Sequence, residues 1–289
     1  MLIIIAITVM LLSYFVYRGY KNTQSVVINH IEIDKNLNGT KATPLRILHI
    51  SDMHLEKISI SPEHLYKHLK MQPIDLIALT GDFLDRKRTI SKLIPYLNEL
   101  NKLQPRYGAY AVFGNHDYVL RQPFFNQLKD LLNEYGFKTL QNEYDTIEIN
   151  GRPFNIIGID DFGTNHSDLA KSYDGLERGY NIVLTHDPNI VLTMQDYPFD
   201  YLLAGHFHGG QIHWPKPYHL RKMGELVRMN MVKGLHEYNG RPFYISEGLG
   251  QTGVNIRVGS RPEMTIHHLQ LSQEIKEKDM IDYSVTEAR

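Results

Sequence analysis

Seven side chains able to bind divalent cations fall in five short blocks: Asp52 and His54 in SDMH, Asp82 in GDFLD, Asn115 in GNHD, His186 in THDP, and His206 and His208 in GHFHGG. Carboxylate, carboxamide and imidazole in this mixture suit a pair of hard-to-borderline divalent ions that share a site. Asp52 and His54 are two residues apart, as are His206 and His208. On extended backbone, each such pair points to one side and can reach one ion. An ordered assignment gives one ion Asp52, His54, Asp82 and His208, and the other Asp82, Asn115, His186 and His206, with Asp82 shared. Two ions about 3.5–4 Å apart lower the pKa of a water between them and so generate a nucleophile near neutral pH. Three neighbours read as catalytic rather than ligating. His116 could donate a proton to a leaving oxygen, Asp85 could orient that imidazole, and Arg86 could clamp a phosphoryl oxygen with its planar fork.

Taken singly, most of these blocks have ordinary explanations. A lone Asp-x-His is commonly a surface turn, and GNHD alone is a turn with a capping aspartate. Asp85 and Arg86 could form a local ion pair. Asp160 and Asp161 are explained as turn residues after a strand, and His64, His68, His267 and His268 as surface or core residues. GHFHGG is stronger, because two histidines between glycines are costly unless they ligate. The weight lies in the order of the set and in its placement, each block following an apolar stretch.

Those stretches form the frame. LRILHI, IDLIALT and YGAYAVFG read as strands, with helices at SPEHLYKHLKM, TISKLIPYLNELNKL and QPFFNQLKDLLNEYG between and after them. Ser61 is placed to cap the first helix, with Pro62 at its first position. The pattern then shifts to hairpins, one turning at Asn150-Gly151 and one at Asn239-Gly240. NIVLTH and DYLLAGH are short strands around a small helix near Asn189–Gln195, and MTIHHLQL closes the body. Alternating βα units followed by hairpins imply an α/β fold of two packed sheets with helices outside.

The remaining features set boundaries. The chain has 289 residues, a formal net charge of −1 and no cysteine. A disulfide framework, a thiolate metal site and a cysteine nucleophile are excluded, and a neutral chain without a basic stripe is not expected to bind nucleic acid. Met1–Tyr17 carry no charge, and Arg18 and Lys21 follow among Tyr14, Tyr17 and Tyr20. This is the pattern of an uncleaved, single-pass N-terminal anchor in the cell membrane, and the charges after it favour a cytoplasmic catalytic domain. The expected division is an anchor over 1–21, a connector over 22–44 with one alternating stretch suited to an edge strand, a domain over 45–271, and a polar, poorly ordered tail over 272–289. Between His213 and Gly234, five basic residues (Lys216, Arg221, Lys222, Arg228, Lys233) face a single Glu225, with Trp214 and several apolar side chains interleaved. This stretch reads either as a loop and strand with a solvated basic face, or as an apolar, basic lip that touches lipid headgroups.

The series SDMH, GDFLDR, GNHD, THDP, GHFHGGQ resembles the calcineurin-like metallophosphoesterase superfamily over about Leu45–Leu271. The later run YISEGLGQTGVNIRVGSRPEM is similar to its bacterial YkuE/YaeI-type branch, which includes a membrane-associated lipid A pathway hydrolase. The threonine before His186 departs from the serine or glycine frequent there, but the ligand is present. The resemblance implies a four-layer α/β/β/α sandwich of two mixed sheets, two divalent ions (manganese, iron or zinc) on the seven ligands above, and a His116–Asp85 catalytic pair. It implies hydrolysis of a phosphoester or pyrophosphate bond, with a lipid-linked or nucleotide-linked substrate at the membrane preferred. A phosphodiesterase acting on soluble nucleotides, and a catalytically silent metal-binding membrane scaffold, are the alternatives.

Overall fold

The apolar runs before the candidate ligands become the central strands of two six-stranded sheets. The computed structural model describes residues 1–33 and 44–271. In the first sheet, β2 (Leu45–Ile50), β3 (Leu76–Thr80), β4 (Ala109–Val112) and β5 (Phe137–Thr139) run parallel. The closing strand β12 (Glu263–Leu269) pairs antiparallel with β2, and β1 (Val27–Ile33) forms the edge beyond it. In the second sheet, β7 (Arg152–Gly158), β8 (Tyr180–Leu184), β9 (Tyr201–Ala204) and β11 (Arg241–Ile245) are parallel. The edges are antiparallel: β6 (Glu143–Ile149) and β10 (Gly234–Tyr238).

Alternation along each strand builds four layers. Ile47, Leu76, Ala78 and Val112 point from the first sheet to Phe154, Ile156, Ile182, Leu184 and Leu203 of the second, and all are buried in one inter-sheet core. Their neighbours Leu48, Ile50, Ile77, Leu79 and Ala111 face the other way, under α2 (Pro62–Leu69), α3 (Ile90–Asn101) and α4 (Phe124–Glu134). The outer face of the second sheet, with Ile157, Val183, Leu202 and Phe243, is covered more thinly by 3-10 segments and by the one-turn helices α5 (Leu169–Ser172) and α6 (Glu225–Arg228). Central strands covered on both faces read as continuous apolar runs, which is why IDLIALT shows no alternation. The result is the expected α/β/β/α sandwich.

Local signals hold where the backbone demands them. The Ser61 hydroxyl accepts from the His64 amide at 3.2 Å. Asn150 and Gly151 take φ of 55° and 75°, and Asn239 and Gly240 take 51° and 76°, as primed hairpin turns require. The stretch after His213 corrects one alternative: before β10 it is loop carrying two short helical turns, not a strand. A 3-10 turn over Tyr218–Lys222 and α6 bury Leu220 and Leu226, and Gly224 joins them at φ 111°. The expected polar tail (272–289) and residues 34–43 of the connector lie outside the described residues.

α1 (Leu2–Asn22) has 21 residues, with a mean hydropathy of 2.0 over an 18-residue window, and almost all of it is exposed. At 1.5 Å per residue it is about 30 Å long, the thickness of a hydrocarbon core. Its last turn is docked by hydrogen bonds, and Phe15 touches Trp214 one turn earlier. The Arg257 amide donates to the Gly19 carbonyl at 2.9 Å, and Asn22 Nδ2 donates to the Arg257 carbonyl at 2.8 Å. A Cβ on Gly19 would stand 3.1 Å from Ile256 Cβ, so glycine permits this close approach.

Candidate metal centre

All five blocks lie just past the C-terminal ends of parallel strands: β2 leads to Asp52 and His54, β3 to Asp82, β4 to Asn115, β8 to His186, and β9 to His206 and His208. Ligand sites in open α/β sheets form at such ends. Here two sheets contribute, and they are tied at the site itself. His186 Nδ1, at the end of β8, donates to the Thr80 carbonyl of β3 at 2.8 Å. That bond leaves Nε2 facing Asp82.

Asp82 Oδ2 is 3.1 Å from His186 Nε2 and 3.5 Å from His54 Nε2. Asp52 Oδ1 is 3.3 Å from His208 Nε2, and 4.0 Å from both His54 Nε2 and His186 Nε2. His54 Nε2 and His208 Nε2 approach to 3.1 Å, and His206 Nδ1 and His186 Nε2 to 3.2 Å. Three overlapping groups therefore converge: Asp52–His54–His208, His54–Asp82–His116, and Asp82–His186–His206. Six of the seven expected ligands are in them. The seventh, Asn115, adjoins His116, and its Oδ1 is buried with no hydrogen-bond partner.

The backbone is distorted to achieve this. Asp52, His54, Asp82, His206 and His208 all have φ between 41° and 78°. Five non-glycine residues in the left-handed region, within one cluster, mark strain kept for a site. Two glycines give it room. A Cβ on Gly114 would meet Asp82 Oδ1 and lie 2.7 Å from the His186 ring, and one on Gly205 would overlap Ser51 Oγ and Asp52 Oδ2.

Electrostatics fit cations. Asp52 and Asp82 are buried, and a buried carboxylate needs a positive partner. Burial opposes the charge on Asp82, but His186 and then His54 hold its carboxyl well below the usual range. Burial likewise opposes charge on His186, yet Asp82 and Asp52 push it well above the ordinary imidazole value. Burial lowers His54 to about 4 and His208 to about 3 against the pull of the carboxylates, so both offer neutral nitrogens. Neutral imidazoles, two ionised carboxylates and an orphaned amide oxygen form a donor set that fits two divalent ions.

The three expected catalytic residues sit on the rim. His116 packs edge-on against the His54 ring at 4.7 Å, and its amide donates to Asp82 Oδ1 at 2.8 Å. Asp85 Oδ2 is 3.8 Å from His116 Nδ1, beyond direct hydrogen-bond reach. Arg86 is exposed on the same loop. Asp160 and Asp161 end β7 in a tight turn, where Asp161 accepts from Thr164 and Asp160 from Tyr118.

Four supporting residues escape sequence reasoning. Asp117 accepts the amides of Asp82, Phe83, Leu84 and Gly114 at 2.9–3.3 Å, clamping the β3 and β4 loops together. Its position in GNHD was the available signal, although it suggests only a local cap. Glu56 accepts the Asp85 amide at 3.3 Å and the Thr89 hydroxyl. Burial opposes ionisation of Asp85, but the Glu56 hydrogen bond and the neighbouring His116 hold it below the usual carboxylate range. His49 Nε2 lies 2.7 Å from Thr80 Oγ1, behind His186. Arg257, fully buried, donates to the carbonyls of Glu247, Gly248, Gly250 and Arg261, and burial lowers it to about 10. The loop it holds caps Asp52, whose carbonyl accepts the Gly250 amide at 2.7 Å.

Two mixed sheets that bring buried aspartates and histidines to one edge define a class, the α/β/β/α proteins built around a shared metal centre. Residues 45–210 match the model of the calcineurin-like phosphoesterases, and the chain belongs to that family. It is 61% identical over 267 residues to the metallophosphoesterase YkoQ of Bacillus subtilis, covering 92% of this chain and 99% of that protein. It is 28% identical over 237 residues to the phosphodiesterase YaeI of Escherichia coli (79% and 83% covered). It is also 28% identical over 285 residues to LpxG of Chlamydia muridarum, named a UDP-2,3-diacylglucosamine pyrophosphatase (77% and 82% covered). Membership makes the protein a metal-dependent phosphoester hydrolase by family.

Proposed function

We propose that the chain hydrolyses a phosphoester or pyrophosphate bond at a membrane, with residues 45–271 as the catalytic unit behind an anchor (1–21) and a connector (22–44). Asp52, His54, Asp82 and His208 would hold one divalent ion, and Asp82, Asn115, His186 and His206 the other. The observation that carries this reading is the Asp82 carboxylate, which faces His54 at 3.5 Å and His186 at 3.1 Å from the two sheets. Manganese, iron and zinc all suit the mixture. When bound, such ions supply Lewis acidity toward a phosphoryl oxygen and an activated water.

The chain's own residues supply the rest. His116 gives its proton to the leaving oxygen. Asp85, at 3.8 Å, is within a small side-chain shift of orienting it. Arg86 neutralises a non-bridging oxygen from the rim. A lipid-linked or nucleotide-linked substrate is favoured by α1 and by the name of the LpxG relative. A soluble phosphodiester is the second reading, favoured by the name of the YaeI relative. Arg18 and Lys21, at the C-terminal end of α1, favour a cytoplasmic active site.

The test is hydrolysis of bis-p-nitrophenyl phosphate with added manganese. His116→Ala should lower kcat by about 10²–10⁴ while keeping its metal. Full activity in that variant, or in metal-stripped enzyme, would overturn the reading. A metal-loaded wild-type protein with no turnover on any phosphoester would make it a silent scaffold.

A further inference from the structure

Trp214 packs against Phe15 of α1, with ring centroids 6.4 Å apart. Phe15 precedes the first charge of the helix, Arg18, by three residues, about 4.5 Å along the axis. If α1 crosses a bilayer with Arg18 at the headgroups, Trp214 must sit at or just inside the acyl boundary. The docking of Gly19 and Asn22 onto Arg257 ties this geometry to the folded domain.

The surroundings of Trp214 fit that depth. Trp214 is 70% exposed, Tyr218 59% and Met229 42%, three large apolar side chains left open within one segment. Tyrosine and tryptophan favour the membrane interface. Tyr218 lines a groove of about 510 Å³ together with His219, Arg221, Lys222 and Arg228. Arg228 is paired with Glu225 at 2.7 Å, which leaves Arg221 and Lys222 as excess positive charge. Lys222 also lines a second groove of about 370 Å³, whose wall includes Asp187, Gly224 and the candidate ligand His206. Lys222 is thus shared by the basic groove and by the groove that reaches the candidate ligand His206.

We propose that the segment from His213 to Met229 is a second membrane contact, seated in the interface of the leaflet that α1 enters, and that its basic groove receives the anionic headgroup of a lipid in that leaflet. The active-site mouth is then held toward the bilayer, and a phosphate-bearing amphiphile reaches His206 past Lys222 without leaving the membrane. The inference rests on α1 being a membrane span, but not on which bond is hydrolysed.

Trp214 is the single tryptophan of the chain, so its emission reports the contact directly. The full-length protein is reconstituted into vesicles of phosphatidylcholine alone or mixed with phosphatidylglycerol, and read only in the fraction that floats with lipid. Lipids brominated near the headgroup end of the chain should quench most of the Trp214 emission and shield it from aqueous acrylamide. Quenching should be stronger with phosphatidylglycerol, and a combined Arg221→Glu, Lys222→Glu, Arg228→Glu variant should lose that difference while still floating. Floating wild-type protein whose Trp214 is open to acrylamide and untouched by bromolipid would overturn the contact. Equal quenching in both lipid mixtures would overturn the headgroup groove. Failure to float would remove the anchor and this inference with it, whereas inactivity toward phosphoesters would leave the inference standing.

Discussion

With the proposed ions bound, His186 would be the residue at which metal and proton compete. Its Nε2 lies 3.1 Å from Asp82, whose charge raises it well above the ordinary imidazole range, while His54 and His208 stay neutral down to about 4 and about 3. Binding a cation at Nε2 must therefore expel a proton. Apparent manganese affinity should rise with pH through neutrality, levelling only where His186 has lost its proton in the metal-free protein. Titration calorimetry in buffers of different ionisation enthalpy measures the protons released; none released at pH 7 would contradict this. The six residues that converge, Asp52, His54, Asp82, His186, His206 and His208, were legible as candidates in the sequence because donor type and strand-end position are local properties. Glu56 was not, and Asp117 only as a local cap, because accepting an amide from a distant loop is not encoded in spacing. The Asp85–His116 pairing was legible only as proximity, and the 3.8 Å gap could not be read from the chain.

At the scale of elements, β12 holds the clearest consequence. Glu263 on that strand is fully buried, accepts from Asn29 Nδ2 at 2.9 Å and from the Tyr244 and Thr265 hydroxyls at 3.1 Å, and is raised by burial to about 7. The folded state thus holds a proton that the unfolded chain, near 4.5, releases. Stability from this group is full below about 4.5 and is lost as pH rises toward 7, a change on the order of 3 kcal/mol. Glu263→Gln keeps the neutral form, so its melting temperature should gain on wild type between pH 5 and about 7. A constant difference would show that Glu263 does not titrate there. The strand itself was legible from MTIHHLQL, but its partner was not. A closing strand that returns to the first sheet, between β1 and β2, is a long-range choice that a local pattern does not encode. β5, at three residues, is too short to show a pattern at all. The helical turns after His213 were misread in one alternative because burial of Leu220 and Leu226 depends on the second sheet beneath them.

The whole molecule joins two devices through one loop. Arg257 fixes the loop whose Leu249 and Gly250 amides bond to Ser51 and Asp52, and its own backbone receives the end of α1. The membrane-length helix and the Asp–His cluster are therefore mechanically continuous. The cluster in turn depends on the two stacked sheets ending at a common edge, with Asp82 from one and His186 from the other. A crystal structure of manganese-soaked protein, with anomalous difference maps at the manganese edge, tests that convergence most directly. Two peaks about 3.5–4 Å apart are expected, one on Asp52, His54 and His208, one on Asn115, His186 and His206, with the Asp82 carboxylate between them. A single peak, or two that leave Asp82 without a cation, would contradict the shared centre on which the proposed chemistry depends.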